Sequence, residues 1–293
     1  MQKEETVQKG NRVLLFSGDC GDLGTPNIEL KNFPDGEKYV RMPILPQCVG
    51  KEVTLVHRCY PEQDKSIIQL LLMISALKNA QAKKIIAIVP YLPYARQDKI
   101  KLEGETKSSE TICSLIRGAG CDLLVTFDCH FIKKEGAVNY GGLPIDNITM
   151  KDPLLNYYLS THPDALVAAP DKGATYMIVM HGGNSMKKVR GEYSDGATAV
   201  RPIETLEMEF EVKDRDVILV DDMIASGGTM IRAARECKMK GAKSVLCAAT
   251  HGLFLGNALQ EMLAAGASEV VVSDAIVSGV SRVPIKPFLA KYF

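Results

Sequence analysis

Net charge is the first thing this sequence lacks. Its 35 basic side chains cancel 35 acidic ones across 293 residues, which excludes a polybasic nucleic-acid binder or an acidic tail and leaves partners to be chosen by local sites. Long apolar runs are missing too. The longest, Ile67 to Leu77, is broken by Gln69 and Ser75 and falls short of the ~20 residues needed to cross a bilayer. Met1 to Lys9 is polar and charged, without the apolar stretch of a secretory signal, so the expectation is a cytoplasmic protein with no membrane and no nucleic-acid partner. No two of the eight cysteines are closer than eight positions. That excludes a Cys-x-x-Cys zinc or redox motif, and each cysteine is expected to be a small buried hydrophobe. With 46% hydrophobic and 24% charged residues, the chain is expected to fold around one large core or two cores of roughly 150 residues each.

What is present is alternation. Short apolar runs at Val53–Val56, Lys84–Val89, Asp122–Phe127, Ala165–Ala169, Val217–Val220, Ser244–Ala248 and Glu269–Val272 are continuous rather than alternating, as in strands buried on both faces of a parallel sheet. Helices are expected between them at Asp64–Ala80, Ser108–Arg117, Thr229–Lys240 and Asn257–Ala265, with Asp64 and the serines as starts and Gly118, Gly241 and Gly266 as stops. The fold class is therefore α/β, with mostly parallel sheets flanked by helices and ligands at the carboxyl ends of strands. Gly, Pro, Asn and Asp cluster at Gly141–Pro153, where a boundary is expected between domains 1–147 and 148–293. Ile28–Phe33 and Lys38–Met42 flank Pro34, Asp35 and Gly36 and predict a separate β-hairpin.

The most informative segment runs from Val217 to Thr229. Four apolar residues predict a buried strand, Asp221 and Asp222 stand at its end, and Ala225, Ser226, Gly227, Gly228 and Thr229 lead into an amphipathic helix. Neighbouring strand side chains point to opposite faces, so one carboxylate can meet a ligand while the other orients the loop. A tight turn at a helix N-terminus offers free N–H groups and the positive dipole end to a phosphate, and Ser226 and Thr229 add hydroxyl donors. A Gly-Gly-Thr turn alone is commonly just packing. The buried strand, Asp-Asp pair, five intervening positions and Gly-Thr together suit a sugar bearing a phosphate and vicinal hydroxyls. No Gly-Lys-Ser/Thr follows the glycines, so this is not a Walker A loop.

Val217–Thr229 resembles the phosphoribosyl-pyrophosphate loop shared by type I phosphoribosyltransferases and ribose-phosphate pyrophosphokinases. The second family is favoured by motifs elsewhere. Asn32 to Glu37 resembles its adenine-binding hairpin, Pro93 to Lys99 its ATP-phosphate loop, and Asp128-Cys129-His130 its metal-binding histidine motif. Ala169 to Ala174 is similar to its second metal-contacting loop, Lys188-Val189-Arg190 to its catalytic loop, and Thr250-His251-Gly252 to a signature after the following strand. With its last residue at Phe293, the sequence resembles the shorter, archaeal-type forms.

The resemblance implies two phosphoribosyltransferase-like domains plus a hairpin flag, and a magnesium-dependent transferase of nucleotide biosynthesis. Its substrates would be ATP, held by Phe33, Asp35, Gly36, Glu37, Arg96 and Gln97, and ribose 5-phosphate, held by Arg190, Asp221, Asp222 and Ala225 to Thr229. It further implies Lys188 and Arg190 as catalytic cations, His130 and Asp171 as groups near Mg²⁺, and a homo-oligomer whose ATP site is shared between subunits. Each residue also has a plainer reading. Phe33 alone reads as core, Arg96 as solvated and His130 as a satisfied loop residue, while Asp171 reads as a helix cap and Gly182–Gly191 as a solvated loop. Two other functions share the phosphate loop. A phosphoribosyltransferase gives no reason for the hairpin or for Arg96 and Gln97, and a non-catalytic regulatory subunit would be expected to lose Lys188, Arg190, Gly227 or Gly228.

Overall fold

The computed structural model describes residues 8–9, 11–178, 182–190 and 203–293. It shows two compact units: the chain up to Thr149 together with Ile285–Phe293, and Met150–Pro284.

In the first unit the strands are β1 (Gln8–Lys9), β2 (Arg12–Phe16), β3 (Glu29–Asn32), β4 (Lys38–Arg41), β5 (Glu52–Val56), β6 (Lys84–Ile88), β7 (Leu123–Phe127), β8 (Gly136–Tyr140) and β9 (Leu143–Ile148), with helices α1 (Gln63–Asn79) and α2 (Ser108–Ala119). A seven-stranded sheet has the order β1-β2-β5-β6-β7-β9-β8, and β2, β5, β6, β7 and β9 run parallel. After one partly or fully exposed residue, β2, β5, β6 and β7 each bury four residues in succession, because helices and chain cover both faces. The hairpin β3–β4 stands outside this sheet, with Glu29 opposite Arg41 and Asn32 opposite Lys38. Gly36, at φ +95°, closes its turn in a conformation that glycine adopts without steric cost.

The Gly- and Pro-rich stretch from Gly141 to Pro153 is more structured than a linker. Gly141 and Gly142, both at positive φ, turn β8 back into β9. Pro153 falls in the first turn of the next helix, where a missing N–H costs no hydrogen bond. Helix α2 passes through Gly118 and ends at Gly120, whose φ of +118° makes the left-handed stop.

The return of Ile285–Phe293 is held by specific contacts. Tyr292 and Lys291 both donate to the Asp146 carboxylate, Lys291 at 2.9 Å. The Thr54 hydroxyl donates to the Tyr292 carbonyl at 2.7 Å, and Phe293 packs edge-on to Phe16. Lost hydration pushes Asp146 up, but the Tyr292 and Lys291 hydrogen bonds outweigh it and hold the carboxyl below its usual range. A depressed carboxyl pKa contributes stability above the unfolded value of about 3.9, and that contribution disappears as pH falls through the folded value. Asp146→Asn is therefore expected to lower the melting temperature near pH 6 and to match the parent at the acid end of a pH 2–6 melting series. A constant offset at every pH would contradict the ionic role.

The second unit contains α3 (Lys151–Leu159), β10 (Leu166–Ala169), β11 (Asn184–Ser185), β12 (Lys187–Arg190), β13 (Ile203–Glu207), β14 (Asp216–Ile224), α4 (Gly228–Met239), β15 (Ser244–Gly252), α5 (Ala258–Ala264), β16 (Glu269–Ser273) and β17 (Ser281–Val283). Its six-stranded parallel sheet has the order β11-β10-β14-β15-β16-β17, and β12 and β13 form a separate antiparallel ribbon. Ala233, Ala234 and Cys237 of α4 are fully buried beside Val217 and Leu219 of β14 in one core. All eight cysteines are buried and none forms a disulfide. Burial pushes the Cys20 thiol up to about 12 and the Cys48 thiol up to about 11, which keeps them protonated and inert.

Candidate active site

The strand ahead of the glycine turn is longer than its apolar run. Pairing with β15 carries β14 through Asp221, opposite Ala249, and Met223, opposite His251, to Ile224, opposite Gly252, so both carboxylates lie inside the strand rather than beyond it. Pleating separates them: Asp221 is partly exposed, whereas Asp222 is buried at 3% exposure. The Asp222 N–H donates to Asp221 Oδ1 at 2.8 Å. Loss of hydration, then the charges of Asp222 and Asp171, push the Asp221 carboxyl well above its usual range.

Asp171 comes from the end of β10, the strand beside β14, and caps the short 3₁₀ turn Lys172–Met177 by accepting from the Gly173 N–H at 2.7 Å. The plain capping role is therefore present, and the same residue also contributes its charge to the Asp221 site. Among the described residues no three His, Cys, Asp or Glu side chains are arranged as a ready metal cluster. The crowding of Asp171, Asp221 and Asp222 is nonetheless of the sign that a hard cation bound to oxygen ligands would relieve.

The turn at 225–229 has the form of an anion cradle. Gly227 adopts φ +75° and caps α4 with no side-chain hydrogen bond, no acid lies in the first turn, and the helix ladder begins with Ile231 N–H donating to Gly227 O at 2.8 Å. The N–H groups of Gly227 and Gly228 stand ahead of that bond, at the positive end of the helix dipole. Ser226 is exposed, and Ala225, Gly228 and Thr229 are partly exposed. A Cβ at position 227 would meet the Ala258 Cβ and the Ile231 Cδ1, each at 3.2 Å, so space as well as backbone conformation selects glycine. Lys188 and Arg190 occupy β12, opposite Leu206 and Ile203 of β13; their side chains lie outside the described residues.

In the first unit, Arg96 and Gln97 are exposed in the loop after β6, and His130 is partly exposed after β7. These strands are parallel neighbours in the middle of the sheet, so all three residues follow the carboxyl ends of adjacent strands. Gln97 is held in two ways: its carbonyl accepts from the Ser109 N–H at 3.3 Å, and its Oε1 accepts from the Ser108 hydroxyl. Phe33 is 48% exposed at the hairpin tip and meets Tyr39 edge-on, so it is not a core residue. The Asp35 carboxylate accepts from the Glu37 N–H at 3.1 Å and shapes the turn, a structural use alongside the ligand contact expected of it.

The profile of the N-terminal domain of ribose phosphate pyrophosphokinase matches residues 20–120, and that of the phosphoribosyl transferase domain matches residues 181–283. A ribose-phosphate pyrophosphokinase from Sulfurisphaera tokodaii is 36% identical, covering 88% of this chain and 87% of its own. The chain belongs to the ribose-phosphate pyrophosphokinase family. Its relative of the same name from Pyrococcus abyssi is 35% identical, covering 90% of each chain. The crystal structure of phosphoribosylpyrophosphate synthetase from Mycobacterium smegmatis superposes with a TM-score of 0.77 at 26% identity, covering 96% of this chain and 97% of that one. The pyrophosphokinase fold, two parallel-dominated α/β units, is thus the one seen here. No helix among the described residues is long and apolar enough to cross a membrane.

Proposed function

We propose that this ribose-phosphate pyrophosphokinase transfers the β,γ-pyrophosphoryl group of ATP to the anomeric hydroxyl of ribose 5-phosphate, giving 5-phosphoribosyl 1-pyrophosphate and AMP for nucleotide biosynthesis. The observation that carries this reading is the left-handed turn at Gly227, five positions after Asp222 and without a side-chain cap. The backbone amides of the turn and the Ser226 and Thr229 hydroxyls bind the 5-phosphate, and the two aspartates accept from the ribose hydroxyls. Phe33 stacks on adenine, Asp35, Gly36 and Glu37 line its edge, and Arg96 and Gln97 donate to the triphosphate. In-line transfer asks for positioning and charge neutralisation rather than covalent help. Lys188 and Arg190 supply the cations.

Mg²⁺ belongs to this reading, with His130 on the nucleotide side and Asp171 on the sugar side as its neighbours; when bound, it neutralises phosphate charge and fixes phosphate geometry. The exposed Phe33 at a hairpin tip supports a homo-oligomer in which the hairpin completes the ATP site of another subunit. The reading also places the protein in the cytoplasm. A coupled assay for AMP release from Mg-ATP is expected to show turnover only when ribose 5-phosphate is present. Product formation that required a nucleobase would instead support a phosphoribosyltransferase, and a chain inert in every combination would support a regulatory subunit.

A further inference from the structure

The loop carrying Arg96 and Gln97 contains an unusual backbone. Tyr94 adopts φ +63°, a left-handed conformation that a bulky aromatic rarely visits and that persists only where neighbours hold it. Its base is fixed by burial: Leu92 and Ala95, on either side, are 3% and 2% exposed, whereas Tyr94 itself is 39% exposed. The side chain is nevertheless tied. Its hydroxyl donates to the carboxylate of Asp64 in the first turn of α1, and that hydrogen bond, followed by lost hydration, raises the phenol above its ordinary value. Asp64, expected as a helix cap, is thus used elsewhere: the N-cap position of α1 is Glu62, with no side-chain cap. At the other end the Gln97 carbonyl is bound by Ser109. Only Ala95 and Arg96 lie between the two anchors, so the direction in which Arg96 leaves the loop is set by them.

We propose that Tyr94 and Asp64 form a positioning pair whose hydroxyl–carboxylate bond holds the reversed backbone that presents Arg96 to the triphosphate of ATP. This inference rests on the reading of Arg96 and Gln97 as triphosphate contacts. Tyr94→Phe keeps the ring but removes the bond that offsets the backbone strain, so the loop relaxes and Arg96 loses its alignment.

The test is steady-state kinetics and ATP titration on the intact protein. Tyr94→Phe and Asp64→Ala are each expected to raise the KM for Mg-ATP about tenfold, the size of one charge-assisted hydrogen bond. The double variant should lose little more than either single one, while kcat, the KM for ribose 5-phosphate and the melting temperature stay near the parent's. Asp64→Asn, which keeps an acceptor, should recover most of the affinity. An unchanged KM for ATP in Tyr94→Phe, additive losses in the double variant, or a rise in both KM values together with a lower melting temperature would each overturn the pair. If the parent released no AMP, the activity reading would fail first, and ATP titration without sugar would still judge the pair. If Arg96→Ala bound ATP like the parent, the loop assignment and this proposal would fall together while AMP release stood.

Discussion

Gly227→Val is expected to raise the KM for ribose 5-phosphate by about a hundredfold or more and to leave the KM for Mg-ATP near its parent value. Position 227 has φ +75°, where a β-branched residue costs on the order of 1–3 kcal/mol. The first added carbon already meets Ala258 and Ile231 at 3.2 Å, and valine's branches press further into that wall. The strain is relieved by moving the turn, which on the proposed reading is also the phosphate cradle. Each misaligned N–H to a dianion forfeits about 1.5–3 kcal/mol, so two lost donors account for the predicted factor. Gly227→Ala should fall between the two, because it meets the same conformation with less bulk. Initial-rate measurements at saturating ATP decide the matter; a Gly227→Val protein that kept its sugar KM would show that the turn does not hold the phosphate.

Much of this layout is written locally in the chain. Val53–Val56 and Val270–Val272 bury every residue because parallel strands are covered on both sides, and that continuous pattern can be read without a structure. Other features depend on partners distant in sequence. Asp221 and Asp222 carry no apolar signal, so their place inside β14 is visible only once β15 pairs with them. Helix α2 runs through Gly118 because tertiary packing outweighs one unfavourable residue of about 1 kcal/mol. The docking of Ile285–Phe293 on the first unit depends on Asp146 and Thr54, neither of which is near it in sequence.

The candidate site shows the same division. The identities of Gly227, Arg96 and His130 are carried by motifs. Which carboxylate is buried, and that Asp35 and Gln97 are partly occupied by their own turns, depends on geometry. Tyr94 is the extreme case. Nothing in a Pro-Tyr-Ala-Arg string announces a left-handed tyrosine, since the conformation is decided by an acceptor thirty positions away.

Lys188→Ala acts on the other kinetic constant. The ribbon β12–β13 that carries it is a pair of strands outside the six-stranded sheet, with a register shift between Val189 and Arg190, and β13 packs against α4. The helix opened by the proposed phosphate turn therefore also packs against the strand pair that carries Lys188 and Arg190. Two strands alone are marginal in water, which suits a segment whose charges are needed mainly when the transferring group is in place. On the proposed reading, the Lys188 ammonium meets charge that develops during transfer rather than charge already present on the sugar phosphate. Its loss is expected to lower kcat by about a hundredfold, the scale of one preorganised donor, with the KM for ribose 5-phosphate little changed. Lys188→Arg, which keeps the charge on a different geometry, should recover part of the rate. An unchanged kcat with a raised sugar KM would reassign Lys188 to ground-state binding, because an interaction made equally before and during transfer lowers KM without accelerating the chemical step.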